Sequence, residues 1–139
     1  NLRPAFDDGV NTLDKMVASL EQLAPAAVEA HNERLKARIQ EASPLLSDNE
    51  ERILREIAVL ADKLDISEEI ARLRSHIDQF RSFLEEFEPC GRRMEFLIQE
   101  MNREINTIAS KTADLTISRL VLAGKTELEK LREQSQNIE

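Results

Sequence analysis

Ile70, Leu73, Ile77, Phe80, Leu84 and Phe87 follow one another at intervals of 3, 4, 3, 4 and 3 residues. That alternation holds six apolar side chains on one stripe of an α-helix and disperses them in a strand. A helix with such a seam must lay it against another helix. The turn residues Glu88-Pro89-Cys90-Gly91 follow directly, so the next helix is expected to fold back as an antiparallel partner. No segment alternates with the period of two that a half-buried strand needs. The chain has no Trp or Tyr and only three Gly, and it is rich in Glu, Leu, Ala and Arg, the composition of long helices. The predicted fold class is all-α, built around a long antiparallel hairpin.

Five helices are expected. The first runs from about Pro4 to Ser19 or beyond, with Phe6, Val10, Leu13 and Val17 on one face. A second starts at Pro25, a residue suited to a first helical position, and ends near Ala42, before Pro44. Ser47-Asp48-Asn49-Glu50 reads as a capping box opening a third through Ile53, Ile57, Leu60 and Leu64. Asp65-Ile66-Ser67 breaks that helix, and Asp65 or Ser67 caps the seam helix. After Gly91 a single helix is predicted to run nearly to the C-terminus, about 70 Å at 1.5 Å per residue. Its Leu115, Ile117, Leu120, Val121 and Leu122 span too wide an arc for one partner, which predicts a homo-oligomer. The organisation is therefore residues 1–64 as N-terminal helices and 65–139 as a C-terminal hairpin.

Charge narrows the partners. The net charge of −8 argues against a simple nucleic-acid-binding surface. Yet residues 1–71 carry 8 Lys and Arg against 15 Asp and Glu, residues 72–125 carry 9 against 8, and residues 126–139 carry 2 against 4. The middle segment, with Arg72, Arg74, Arg81, Arg92, Arg93, Arg103 and Lys111, is the part suited to phosphate. The bland reading is a solvated face of i,i+4 pairs. No apolar stretch is long enough to span a bilayer and no signal peptide is visible. The lone Cys90 excludes an internal disulfide framework, fits a reducing cytoplasm, and is expected to be an ordinary buried or half-buried thiol. The chain begins at Asn1 without Met, as a processed chain or a fragment would.

Nucleotide loops, zinc-type Cys/His clusters and serine elbows are absent from the sequence. Carboxylates and imidazole remain. Glu69, Arg72 and His76 share a stripe of the seam helix, and Glu100, Arg103, Glu104 and Lys111 lie along the next. Brought together by a hairpin, they suit Mn²⁺ or Mg²⁺, which prefer oxygen ligands with an occasional imidazole. Glu69, His76, Glu100 and Glu104 are then the candidate metal and catalytic groups, and Arg72, Arg103 and Lys111 the phosphate contacts. From the residue pattern alone the preferred reading is interhelical salt bridges with His76 hydrogen-bonded at the seam's edge. The run 99–111 is dense in Asn, Thr, Ser and Gln, types that weaken a helix interior. Asn102, Asn106, Thr107 and Ser110 are read either as contacts to an RNA backbone or, slightly preferred, as a buried polar layer that fixes helix register. His31 reads as a surface histidine.

Residues 65–69 (Asp-Ile-Ser-Glu-Glu), 72–76 (Arg-Leu-Arg-Ser-His), 91–97 (Gly-Arg-Arg-Met-Glu-Phe-Leu), the run 99–111 and the ending 129–139 resemble the C-terminal half of the bacterial YicC family. The resemblance implies a metal-dependent endoribonuclease that binds and cleaves RNA. It is dense from Asp65 onward and thin before. In that family the first helix runs on through a longer stretch, whereas Met16-Val17-Ala18-Ser19 here is followed at once by 20–25, and the family's N-terminal α/β domain has no counterpart. The resemblance therefore implies that this chain alone is weak or inactive.

Overall fold

The computed structural model describes residues 3–62, 65–86 and 91–137. These form α1 (Arg3–Ala42), a 3₁₀ turn (Ser43–Leu45), α2 (Asp48–Asp62), α3 (Ser67–Leu84), α4 (Gly91–Lys111) and α5 (Leu115–Gln136), with no strand among them. Leu64, Phe87, Pro89, Cys90 and the side chain of Leu60 lie outside the described residues. No helix among those described is long and apolar enough to cross a membrane.

The first half of α1, α3, α4 and α5 pack as a four-helix ring: α1 on α3, α3 on α4, α4 on α5, and α5 on α1. Neighbours are antiparallel. Phe6 meets Phe80 with ring centroids 6.2 Å apart, and Glu21 meets Arg74 at the other end of the same pair of helices. On the α5 side, Gly9 lies under Leu131, and Met16 lies against Gly124. A Cβ on Gly124 would stand 2.1 Å from Met16 Sδ, so a side chain at this position would have to displace the Met16 thioether. The seam residues Ile70, Leu73, Ile77, Phe80 and Leu84 are all buried. They share one core with Phe6, Leu13, Val17 and Leu20 of α1, Met94, Met101, Ile105 and Ile108 of α4, and Ile117, Val121, Leu128 and Leu131 of α5. Residues on both sides of position 65 thus belong to a single core.

Two expected boundaries are corrected. α1 passes through Pro25 without a break. Ala24 is in the core and Ala27 packs against it, so tertiary contact on both sides of Pro25 outweighs the local loss of one helical hydrogen bond. The second correction is that the last helix does not run to the C-terminus. Thr112-Ala113-Asp114 ends α4, and α5 turns back along it. Asp114 Oδ1 accepts from Ile117 N at 2.9 Å, and Thr112 Oγ1 accepts from Asp114 N at 3.1 Å, an N-cap stacked on an ST turn. Ile117 and Val121 are consequently buried within the chain, whereas Leu115 and Leu122 remain exposed. The Ser47 half of the capping box expected at α2 forms, with Glu50 N donating to Ser47 Oγ at 3.2 Å. Asp65 accepts from Ser67 N at 2.9 Å at the start of α3. The second half of α1 packs against α2 and leaves Leu45, Ile53 and Ile57 exposed.

Candidate functional site

The α3–α4 interface carries the chemistry. Glu69 sits in the first turn of α3, on the side that faces α4, and its side chain is only 3% exposed. A carboxylate there is costly unless cations meet it. Two do. Lys111, the last residue of α4, donates from Nζ to both Glu69 oxygens at 3.2 Å. Arg72, one turn along α3, donates from Nη2 to Glu69 Oε2 at 3.1 Å. Arg72 Nε then reaches across to the nearly buried Glu104, at 3.0 and 2.7 Å from its two oxygens. The result is an alternating row, Lys111–Glu69–Arg72–Glu104, that stitches α3 to α4. The Glu104 carboxylate, with the Glu69 and Glu68 charges behind it, tightens the hold of the Arg72 guanidinium on its proton. Arg72 keeps 49% of its side chain in solvent, so one edge of the row is open to a ligand.

The other expected site residues stand around this row rather than in it. His76 is one turn beyond Arg72, partly buried, and its Nδ1 is buried with no hydrogen-bond partner among the described residues. The antiparallel register that pairs Arg72 with Glu104 sets His76 level with Glu100. Glu100 turns instead toward Arg103, 3.6 Å away on its own helix. Among the described residues, no group of three or more His, Cys, Asp or Glu is close enough to hold a metal ion. The donor types suit Mn²⁺ or Mg²⁺. The arrangement does not, because a guanidinium already lies between Glu69 and Glu104.

Two of the arginines suited to phosphate serve α1 instead. Arg74 and Arg81 both grip Asp14, Arg74 also holds Glu21 at 2.7 Å, and Arg81 holds Asn11 at 2.7 Å. These bonds, from Arg74 first and Arg81 second, hold the Asp14 carboxyl below its usual range. The preferred reading of the polar run is also corrected. Asn106 and Ser110 are exposed, and Asn102 and Thr107 are partly so. Asn106 Oδ1 accepts from Lys125 at 2.9 Å, while the Thr107 and Ser110 hydroxyls donate to carbonyls of their own helix. The inward positions of α4 are already taken by Met101, Ile105 and Ile108. Among the described residues of this chain they form no buried polar layer and lie along the surface.

Two clefts flank the row. One, of about 130 Å³, opens beside Lys111, with Ala27, His31, Arg34 and Asp114 on its walls. The other, of about 310 Å³, lies toward the opposite end of α3 and α4 and is lined by Gln79, Phe83, Arg92, Arg93, Phe96 and Leu97. The second was missed in the sequence. Its signal was available, since Phe96 falls off the apolar stripe formed by Met94, Leu97, Met101, Ile105 and Ile108.

Residues 20–139 match the family described as Endoribonuclease YicC-like, C-terminal. The chain is 46% identical over 131 residues to a probable endoribonuclease YicC of Clostridioides difficile (strain 630), covering 91% of this chain and 44% of that protein. It is 38% identical over 115 residues to a probable endoribonuclease YicC of Haemophilus influenzae, covering 83% of this chain and 39% of that protein. The chain therefore spans less than half the length of these relatives.

Proposed function

Because this chain belongs to the YicC-like family of endoribonucleases, we propose that it is the helical C-terminal part of a cytoplasmic enzyme that hydrolyses RNA phosphodiester bonds. One observation carries the assignment of the site. A half-exposed guanidinium is held in place by two buried carboxylates, one turn from a partly buried imidazole. Glu69 and Glu104 fix Arg72 and Lys111, so both cations present a constant geometry to a phosphate at little further entropic cost. Arg103 adds charge on the outer face of α4, and Asn102 and Asn106 offer amides to phosphate or 2′-hydroxyl oxygens. His76 is the group suited to moving a proton.

A requirement for Mn²⁺ or Mg²⁺ belongs to the proposal for the full-length protein. Such an ion supplies polarisation of the phosphodiester and activation of water. The Arg72 guanidinium between Glu69 and Glu104 supports a seat that draws on groups beyond Glu69, His76, Glu100 and Glu104. Assembly into a homo-oligomer is proposed as well, through exposed apolar residues such as Leu45, Ile53, Ile57 and Leu122. The test is end-labelled RNA incubated with the full-length protein and with this chain, after chelation and across a metal titration. Metal-restored cleavage by the full-length protein, and little by this acidic chain, is the expected result. Full-length protein that cuts at no metal concentration would leave a non-enzymatic helical scaffold as the correct reading.

A further inference from the structure

The α4 surface carries a feature that the Arg72–Glu104 row does not use. Arg92, Phe96, Gln99, Arg103, Asn106 and Ser110 form one exposed stripe, about 27 Å long at 1.5 Å per residue. None of the six is acidic, in a chain whose net charge is −8. Near its N-terminal end the stripe meets the cleft of about 310 Å³ between α3 and α4. Phe96 is 60% exposed there, although Phe6 and Phe80 are fully buried in the core. Arg93 lies over the Phe83 ring, 5.5 Å from its centroid, and Glu86 holds it from outside at 3.2 Å. The cleft thus offers aromatic faces, two guanidinium groups and the Gln79 amide. A large apolar ring left in water beside fixed positive charge is what a stacked base and its phosphates require.

We propose that this cleft is a base-stacking subsite for single-stranded RNA, with a base laid on Phe96 and the adjoining phosphates against Arg92 and Arg93. The proposal rests on the endoribonuclease reading and adds to it the strandedness of the substrate. A paired base hides its faces within the stack, whereas an unpaired one offers them. Phe96 is eight residues from Glu104, about 12 Å along the helix, so the subsite grips the strand away from the bond that breaks. Phe96, Arg92 and Arg93 position substrate and take no part in proton transfer. A protein partner fits less well, because the carboxylate-free stripe continues the charge pattern of the cleft well beyond its apolar part.

The experiment uses the full-length protein and a fluorescein-labelled 2′-O-methyl uridine 12-mer, which cannot be cut through its 2′-oxygen, followed by anisotropy. Phe96→Ala is expected to weaken binding by about 5- to 150-fold, the range for losing one stacked base. Phe96→Trp should restore binding, and Arg92→Gln should flatten its salt dependence. With cleavable single-stranded RNA, Phe96→Ala should raise KM and leave kcat unchanged, and a matched duplex should bind parent and variant alike. Unchanged binding in Phe96→Ala, with a parent that still cuts RNA, would overturn the subsite and leave the endoribonuclease reading standing. A parent that cuts nothing, yet loses oligonucleotide binding with Phe96→Ala, would support the subsite and overturn cleavage. A lower assembly mass for Phe96→Ala in light scattering, with RNA binding intact, would make the cleft a protein interface and overturn the proposal.

Discussion

Removing the two ends of the Lys111–Glu69 pair should have unequal effects. The Glu69 side chain is 3% exposed, whereas Lys111 is 28% and Arg72 49% exposed. Lys111→Met takes two hydrogen bonds from a carboxylate that cannot reach water, leaving it only Arg72, which Glu104 also claims. Breaking a buried pair from this side costs about 3 kcal/mol. Glu69→Gln keeps the volume and leaves two cations that can turn toward solvent, so its cost is about 1 kcal/mol. Glu69→Leu combined with Lys111→Met removes both charges and should recover most of the loss, since an apolar pair of similar size is often neutral. Urea unfolding followed by circular dichroism reads all three, provided the slope is unchanged. The ordering is the result at stake. If Glu69→Gln costs more than Lys111→Met, or if both cost less than about 0.5 kcal/mol, the row is a solvated surface network and does not organise α3 against α4.

Asp14 gives a pH signature. Its carboxyl is held below the usual carboxylate range by Arg74 and Arg81, so its contribution is present above the unfolded value of about 3.9 and is lost as pH falls through the folded one. The difference in urea midpoint between parent and Asp14→Asn should therefore shrink from pH 6 to pH 3. Asp114→Ala removes the α5 N-cap and should cost about 1 kcal/mol in the same assay. Gly124→Val drives a side chain into Met16, and an overpacking cost of about 1–3 kcal/mol is expected. Met16→Ala should relieve part of that cost.

The fold was legible where one local rule decided it. The seam from Ile70 to Leu84 lies in the core as its spacing requires, and Ser47 caps α2 as its motif requires. Pro25 misled because local propensity was read without the core contact of Ala24, which keeps α1 continuous across it. The break after Lys111 left a local trace in Thr112 and Asp114, a cap signature overlooked inside an otherwise continuous apolar period. Sequence could set Glu69, Arg72, Glu104 and Lys111 on two stripes. It could not give the register of α3 against α4, and that register makes them an alternating row rather than a converging set of ligands. The polar run was recognised as unusual, but which way it faced depended on the rotation of α4 fixed by Met101, Ile105 and Ile108.

Single-turnover cleavage of labelled RNA by full-length protein carrying His76→Gln, at saturating Mn²⁺ and with helicity and assembly mass equal to the parent's, tests the proposed site most directly. The account predicts a rate lowered by about 10²- to 10⁴-fold, the contribution of one positioned acid or base, with RNA affinity held by Arg72, Lys111 and Arg103. A rate within twofold of the parent's would contradict it and remove His76 from the chemistry.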